Sequence, residues 1–182
     1  MERRVVWGLA AAGFIFGVLL RMKTAMDVST ALQDKNVQAF LAMIRRFESA
    51  NDYTVLYGGS HFSDDSAHPD VRIPFHNPLH STPGNNDWST AAGAYQINYP
   101  TWLGIQSVAY LPDFTPASQD AAAVWLLKLR GVLPDIVAGN FSSAVQKASA
   151  TWASLPGSSA GQRPQDYQVA LNAYTNFGGS IG

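Results

Sequence analysis

Acid chemistry narrows at once to one position. The chain carries 13 acidic residues, of which only Glu2 and Glu48 are glutamates. Helical domains usually draw freely on glutamate for propensity and solubility, so a domain with a single one directs attention to where it stands. Glu48 follows Phe47 directly, at the end of an apolar-periodic segment, and Tyr53 and Tyr57 come soon after. A carboxyl group buried against apolar and aromatic side chains stays protonated at higher pH than a solvated one. Such a group can donate a proton to a departing oxygen, as glycoside cleavage requires. From position alone, an ordinary solvated glutamate at a helix end is the competing reading.

Other reactive patterns are weaker. There is no cysteine, which excludes disulfides, thiolate zinc sites and thiol nucleophiles. His61, His68, His76 and His80 fall close together and raise the question of a zinc peptidase or amidase. Pro74 and Pro78 break the helix that would align His76 with His80 as ligands, so no metal and no cofactor are expected. Ser81, Ser89 and Ser154 lack the G-x-S-x-G setting of an activated serine, and Gly58-Gly59 lacks the lysine of a phosphate cradle. Trp102, Trp125 and Trp152 lie on helical segments and read as core. Trp88, in a polar loop, is the candidate to stack on a sugar. A net charge of −1 gives no field that would gather nucleic acid.

The elements that must position Glu48 follow from periodicity. Val37, Phe40, Leu41, Ile44 and Phe47 form an i, i+3, i+4, i+7 stripe, which predicts a helix ending in the sequence SAND. Residues 53–82 read as a small β-hairpin region, with an extended segment from Val71 to Phe75, and Pro83 to Ala92 as a glycine- and asparagine-rich loop. The rest reads as helical. Thr115 and Pro116 mark a helix start, with Gly131 as its stop. Further helices are expected around 134–138, 141–153 and 165–177. Helix, small sheet and helical bundle together predict an α+β domain of two lobes with a cleft.

Val5 to Leu20 is an unbroken run of 16 apolar or glycine residues between Arg3-Arg4 and Arg21. As a helix it spans about 24 Å, short of a ~30 Å hydrocarbon core but extendable by snorkelling of Arg21. No small-residue pair for signal cleavage lies close behind it. The expectation is an uncleaved anchor in the bacterial inner membrane or a virion membrane, with the remainder of the chain periplasmic. Gly13 and Gly17 form a GxxxG pattern that would allow a weak helix dimer.

The stretches AFLAMIRRFES, VLYGGSHFSDDSAHP, NPLHST, AGAYQI, DFTPASQDA, and WASLPG followed by GQ recur here in order. In order and spacing they resemble the endolysins of the phage lambda type, a lysozyme-fold family of lytic transglycosylases. The resemblance runs from about Asn36 to Gly179. It implies a lysozyme-like two-lobed domain over 36–182, after a membrane segment (1–23) and a linker (24–35). It further implies that Glu48 is the essential acid and that Tyr95 and Gln96 of AGAYQI line the cleft. With Tyr57, Asp64 and Trp88 they make up the expected substrate-binding set, and peptidoglycan glycan strands are the expected partner. The chain departs from the family at PGNNDWSTA, an extra loop between Thr82 and Ala92.

The resemblance also bears on mechanism. Hydrolytic phage lysozymes carry an aspartate nine residues after their glutamate, and here that place holds Tyr57. A hydrolase needs a second carboxylate across the bond. Asp52 is too near in sequence for that, while Asp64 and Asp65 lie in the hairpin region. A lytic transglycosylase needs none, because the substrate's N-acetyl group can stabilise the developing cation. Cleavage of the MurNAc–GlcNAc β-1,4 bond with a 1,6-anhydro product is therefore expected. A hydrolytic muramidase with the same acid, and a non-catalytic glycan-binding or virion module, are the alternatives.

Overall fold

The computed structural model describes residues 26–75, 87–159 and 164–182. The expected stripe forms a helix, α2 (Lys35–Ser49), whose N-terminus is capped by Asp34. The Asp34 carboxylate accepts from the backbone N–H groups of Asn36 (2.9 Å) and Val37 (3.0 Å), satisfying donors that the helix itself leaves free. Ala50 and Asn51 end it in the left-handed region, at φ 55° and 68°. Val37, Phe40, Leu41 and Ile44 are fully buried, so α2 is the spine on which the larger lobe packs. Before it, α1 (Val28–Ala31) is a single turn capped by Asp27. Ala31 is fully buried, so the stretch expected as a linker is partly built into the core.

Downstream come α3 (Tyr99–Ala109), α4 (Pro116–Leu129), α5 (Leu133–Val137), α6 (Phe141–Ala148) and α7 (Tyr167–Asn176). α2 packs against α4, α5 and α7. The seam with α6 and α7 is aromatic: Phe40 meets Phe141 and Tyr174 edge-on at 6.2 Å, and Phe141 stacks on Tyr174 at 4.9 Å. The start of α4 lies where Thr115 and Pro116 predict it, but the Thr115 hydroxyl makes no cap bond. Asp113 binds the Thr115 N–H and the hydroxyls of Thr115 and Ser118 instead. α6 stops at Ala148, short of the expected 153, and the chain turns there towards the end of α2.

The smaller lobe is one antiparallel pair, β1 (Ile73–Phe75) and β2 (Asp87–Ser89), with Ile73 opposite Ser89, Pro74 opposite Trp88 and Phe75 opposite Asp87. The hairpin's second strand therefore comes from the stretch expected as an irregular loop. Residues 53–62 contribute only isolated bridges, Val55 with His61 and Leu56 with Ala92. Behind them Trp102 and Phe114 pack edge to face at 4.7 Å. Gly93 is required where it stands: at φ 73°, an added Cβ would lie 2.1 Å from Oε1 of Gln119, the atom that accepts from the Ala94 N–H.

His68 is buried in this lobe with both ring nitrogens occupied. Nε2 donates to the Ile97 carbonyl (2.8 Å), and Nδ1 accepts from the Asp70 N–H (3.1 Å). Only the neutral ring fits both partners, and burial holds its pKa below the usual 6.5. The unfolded chain binds a proton below 6.5 and the folded chain resists it, so stability falls as pH drops from 6.5 through the lowered folded value. Urea unfolding across that window should show this slope in the wild type and a flatter one in His68→Asn. Parallel slopes would show that the ring's protonation is not coupled to folding.

The membrane anchor is corrected. Among the described residues no helix is long and apolar enough to cross a membrane, so neither the membrane-tethered periplasmic placement nor a virion-membrane location is retained. The apolar run Val5 to Leu20, with Gly13 and Gly17, lies outside the described residues.

Candidate active site

The lobes enclose a cleft of about 650 Å³, formed by the end of α2, residues 55–59, the β1–β2 pair and residues 151–154. Glu48, on the last turn of α2, lines it. The helix registers Glu48 off the fully buried stripe, so its backbone is anchored while its carboxyl reaches the cleft. Burial raises its pKa above the ordinary glutamate range, and hydrogen bonds from the hydroxyl and backbone N–H of Ser154 oppose that rise in part. The group is thus an acid tuned by desolvation and held by donors. Among the described residues that line the cleft it is the sole carboxylate.

The aspartates considered across the bond stand outside the cleft. Asp52 accepts from the Thr54 N–H (2.7 Å) and faces Nε2 of His61 (2.8 Å). Asp64 is exposed, accepts from the Ser66 N–H (2.9 Å), and is held below its ordinary pKa by Ser66. Asp65 is exposed. None of them lines the cleft. Of the histidines, His61 pairs with Asp52 and His68 is in the core, while His76 and His80 lie outside the described residues. Among the described residues no group of three His, Asp or Glu could hold a metal ion.

The expected substrate-binding residues divide. Tyr57, Trp88 and Gln96 line the cleft, and so does Phe75, whose ring lies 5.7 Å from that of Tyr57. Trp88 is 53% exposed on β2, directly beside β1, so the extra loop brings an aromatic face to the site. Gln96 uses its Nε2 to donate to the carbonyls of Val55 and Gly93, which fixes the 55–59 wall. Asp64 is outside the cleft. Tyr95 is turned inward and 1% exposed. Its hydroxyl donates to Asp120 (2.6 Å) and accepts from Arg45 (2.8 Å), and Tyr53 also donates to Asp120 (2.9 Å). Desolvation first, then the Asp120 charge, pushes the Tyr53 phenol up to about 12. Tyr95 therefore braces the helix that carries Glu48 rather than facing a ligand, because the neighbouring AGAYQI residues turn the chain at Gln96, φ 47°.

Two site residues escaped sequence reasoning. Ser154 was considered only as a nucleophile, yet it contacts Glu48, and its place in the WASLPG stretch was the available signal. Thr151 also lines the cleft, and its buried Oγ1 has no partner among the described residues. Trp152 is 3% exposed, lies against the cleft and donates Nε1–H to the Tyr95 carbonyl (3.2 Å).

Residues 38–181 match the family described as Endolysin. The chain is 33% identical over 153 residues to the endolysin of Escherichia phage lambda, covering 79% of this chain and 92% of that one. To the endolysin of Escherichia phage P2 it is 34% identical over 158 residues, covering 80% and 94%. Its fold matches the solved bacteriophage lambda lysozyme complexed with a chitohexasaccharide at a TM-score of 0.73 and 32% identity, covering 82% of this chain and 97% of that chain. A second structure, lysozyme from bacteriophage lambda, matches at 0.69 and 31%.

Proposed function

The chain belongs to the Endolysin family and is a peptidoglycan-degrading enzyme of lysozyme-like fold; from that premise we propose that it works as a lytic transglycosylase with Glu48 as acid and then base. The observation that carries this reading is the cleft's carboxylate content: one half-buried glutamate with raised pKa, and no second carboxylate among the described lining residues. Protonated Glu48 gives its proton to the bridging oxygen as the MurNAc C1–O bond breaks, releasing the GlcNAc end as an alcohol. The MurNAc N-acetyl oxygen takes up C1 in place of an enzyme nucleophile. The C6 hydroxyl then displaces it at C1, and its proton returns to Glu48, leaving a 1,6-anhydro end and the enzyme as it began.

A group that must give and then take a proton needs a pKa near the working pH; burial moves Glu48 upward from the ordinary glutamate value, and the Ser154 donors oppose that rise in part. The chitohexasaccharide bound by the related lambda lysozyme supports a glycan strand as ligand. Tyr57, Phe75 and Trp88 offer apolar faces to sugar rings. Mass spectrometry of digested peptidoglycan tests the mechanism, since anhydro ends are lighter than hydrolysed ends by one water. Anhydro-muropeptides are expected to predominate. Predominantly reducing ends would replace the transglycosylase with a hydrolytic muramidase using the same acid.

A further inference from the structure

We propose that Ser154 is a positioning residue: it holds Oε1 of Glu48 as an acceptor, so that the acidic proton sits on Oε2, the oxygen offered to the glycan. The inference rests on Glu48 being the acid. Its basis is a fixed geometry at one point of the cleft. The Ser154 hydroxyl donates to Oε1 of Glu48. A hydroxyl has one proton to give, and a protonated carboxyl accepts best at its carbonyl oxygen. With the Ser154 hydroxyl donating, Oε1 acts as the carbonyl oxygen and Oε2 carries the hydrogen, while the Ser154 backbone N–H, which also binds the carboxyl, helps to keep it in this orientation.

Ser154 can do this because the chain around it is pinned. Its own carbonyl accepts from the Gln165 N–H (2.8 Å), and Leu155 beside it is fully buried. Two residues earlier, the indole of Trp152 is tied to the Tyr95 carbonyl (3.2 Å). The turn thus cannot follow Glu48 if the carboxyl swings, and the carboxyl is held to the turn. The same bond favours the charged form of Glu48, opposing the effect of its burial. Acid and base roles then stay accessible to one group.

Few other charges complicate the reading. On α2, Arg45 lies one turn before Glu48 but is engaged by Asp120 and Tyr95, and Arg46 is exposed. Tyr57 is the other ionisable group among the described cleft residues. Beyond the wall, Asp52 is paired with His61.

The composition supplies a direct measurement. Glu2 and Glu48 are the only glutamates, so full-length protein labelled with carboxyl-¹³C glutamate gives two resonances to titrate. In Ser154→Ala the Glu48 midpoint should move to higher pH, Glu2 should stay put, and kcat should fall roughly 10- to 100-fold with KM little changed. The alkaline limb of kcat/KM should move upward with the titration. Ser154→Thr, which keeps the hydroxyl, should restore both. If Ser154→Ala does not fold, Ser154→Cys keeps the volume with only a weak donor and should shift the midpoint the same way. A folded variant whose Glu48 midpoint does not move overturns the proposal, whatever happens to kcat. Failure of the catalytic reading is separate: it appears as a Glu48→Gln enzyme that still lyses cell walls, with the titration of Glu48 unaffected as a measurement.

Discussion

Glu48→Gln should lower peptidoglycan lysis by at least roughly 10²- to 10⁴-fold, the range that general acid–base catalysis contributes, while leaving the fold intact. The amide keeps the shape and still accepts from Ser154, but it has no acidic proton to donate. Melting separates this from unfolding and adds a signed test. Burial raises the folded pKa of Glu48, so the folded chain binds this proton more readily than the unfolded chain. Relative to acid conditions, stability is therefore lost as pH rises from the unfolded value of about 4.3 through the raised folded value. The glutamine carries no such loss. The melting temperature of Glu48→Gln minus that of wild type should grow more positive across this window and then level off. Near-wild-type turbidity clearance by a well-folded Glu48→Gln enzyme would remove Glu48 from the mechanism, whereas absence of clearance by the wild type itself would favour the non-catalytic glycan-binding alternative.

The second large effect is expected on stability. Asp120 gathers Arg45, Tyr53 and Tyr95 around one carboxylate oxygen, at 3.2, 2.9 and 2.6 Å. Removing it strands a guanidinium and leaves two phenols without their acceptor. Breaking a fully buried ion pair costs about 3–5 kcal/mol. The side chains here are 19% and 29% exposed, so water offsets part, and Asp120→Ala should cost about 2–3 kcal/mol. For a domain of this size that lowers Tm by roughly 5–10 °C. Asp120→Asn keeps an acceptor and should lose less. Arg45 stands one turn before Glu48, so kcat should fall as well, with the chemical nature of the product ends unchanged. A Tm for Asp120→Ala within a degree of wild type would show that the cluster does not hold α2 in place.

Much of the scaffold was legible because the signals are local. The stripe from Val37 to Phe47 and the Asp34 cap act within two turns, and they place Glu48 on the last turn of α2. Thr115-Pro116 located the start of α4 for the same reason: proline at a first helical position satisfies a constraint that involves only its neighbours. The candidate acid stood out by rarity and position, and the fold puts it in the cleft. Short strands were harder. β2 is three residues long and gains its structure only by pairing with β1, so its own sequence reads as a loop.

Local signals thus suffice for the helix that presents Glu48, for the absence of any cysteine chemistry, and for an ordered set of motifs whose family the comparisons bear out. Packing sorted the side chains that line the cleft from those that turn into the protein. Tyr95 and Gln96 are adjacent, yet one is buried on Asp120 and the other lines the cleft, because the chain reverses between the lobes at that point. Ser154 meets Glu48 from 106 residues away, and Asp120 meets Arg45 from 75. Periodicity and capping act over a few residues and can fix a helix. The protonation state of an acid depends on desolvation and donors supplied by whatever packs opposite, and these distant segments meet Glu48 only when the lobes close around it.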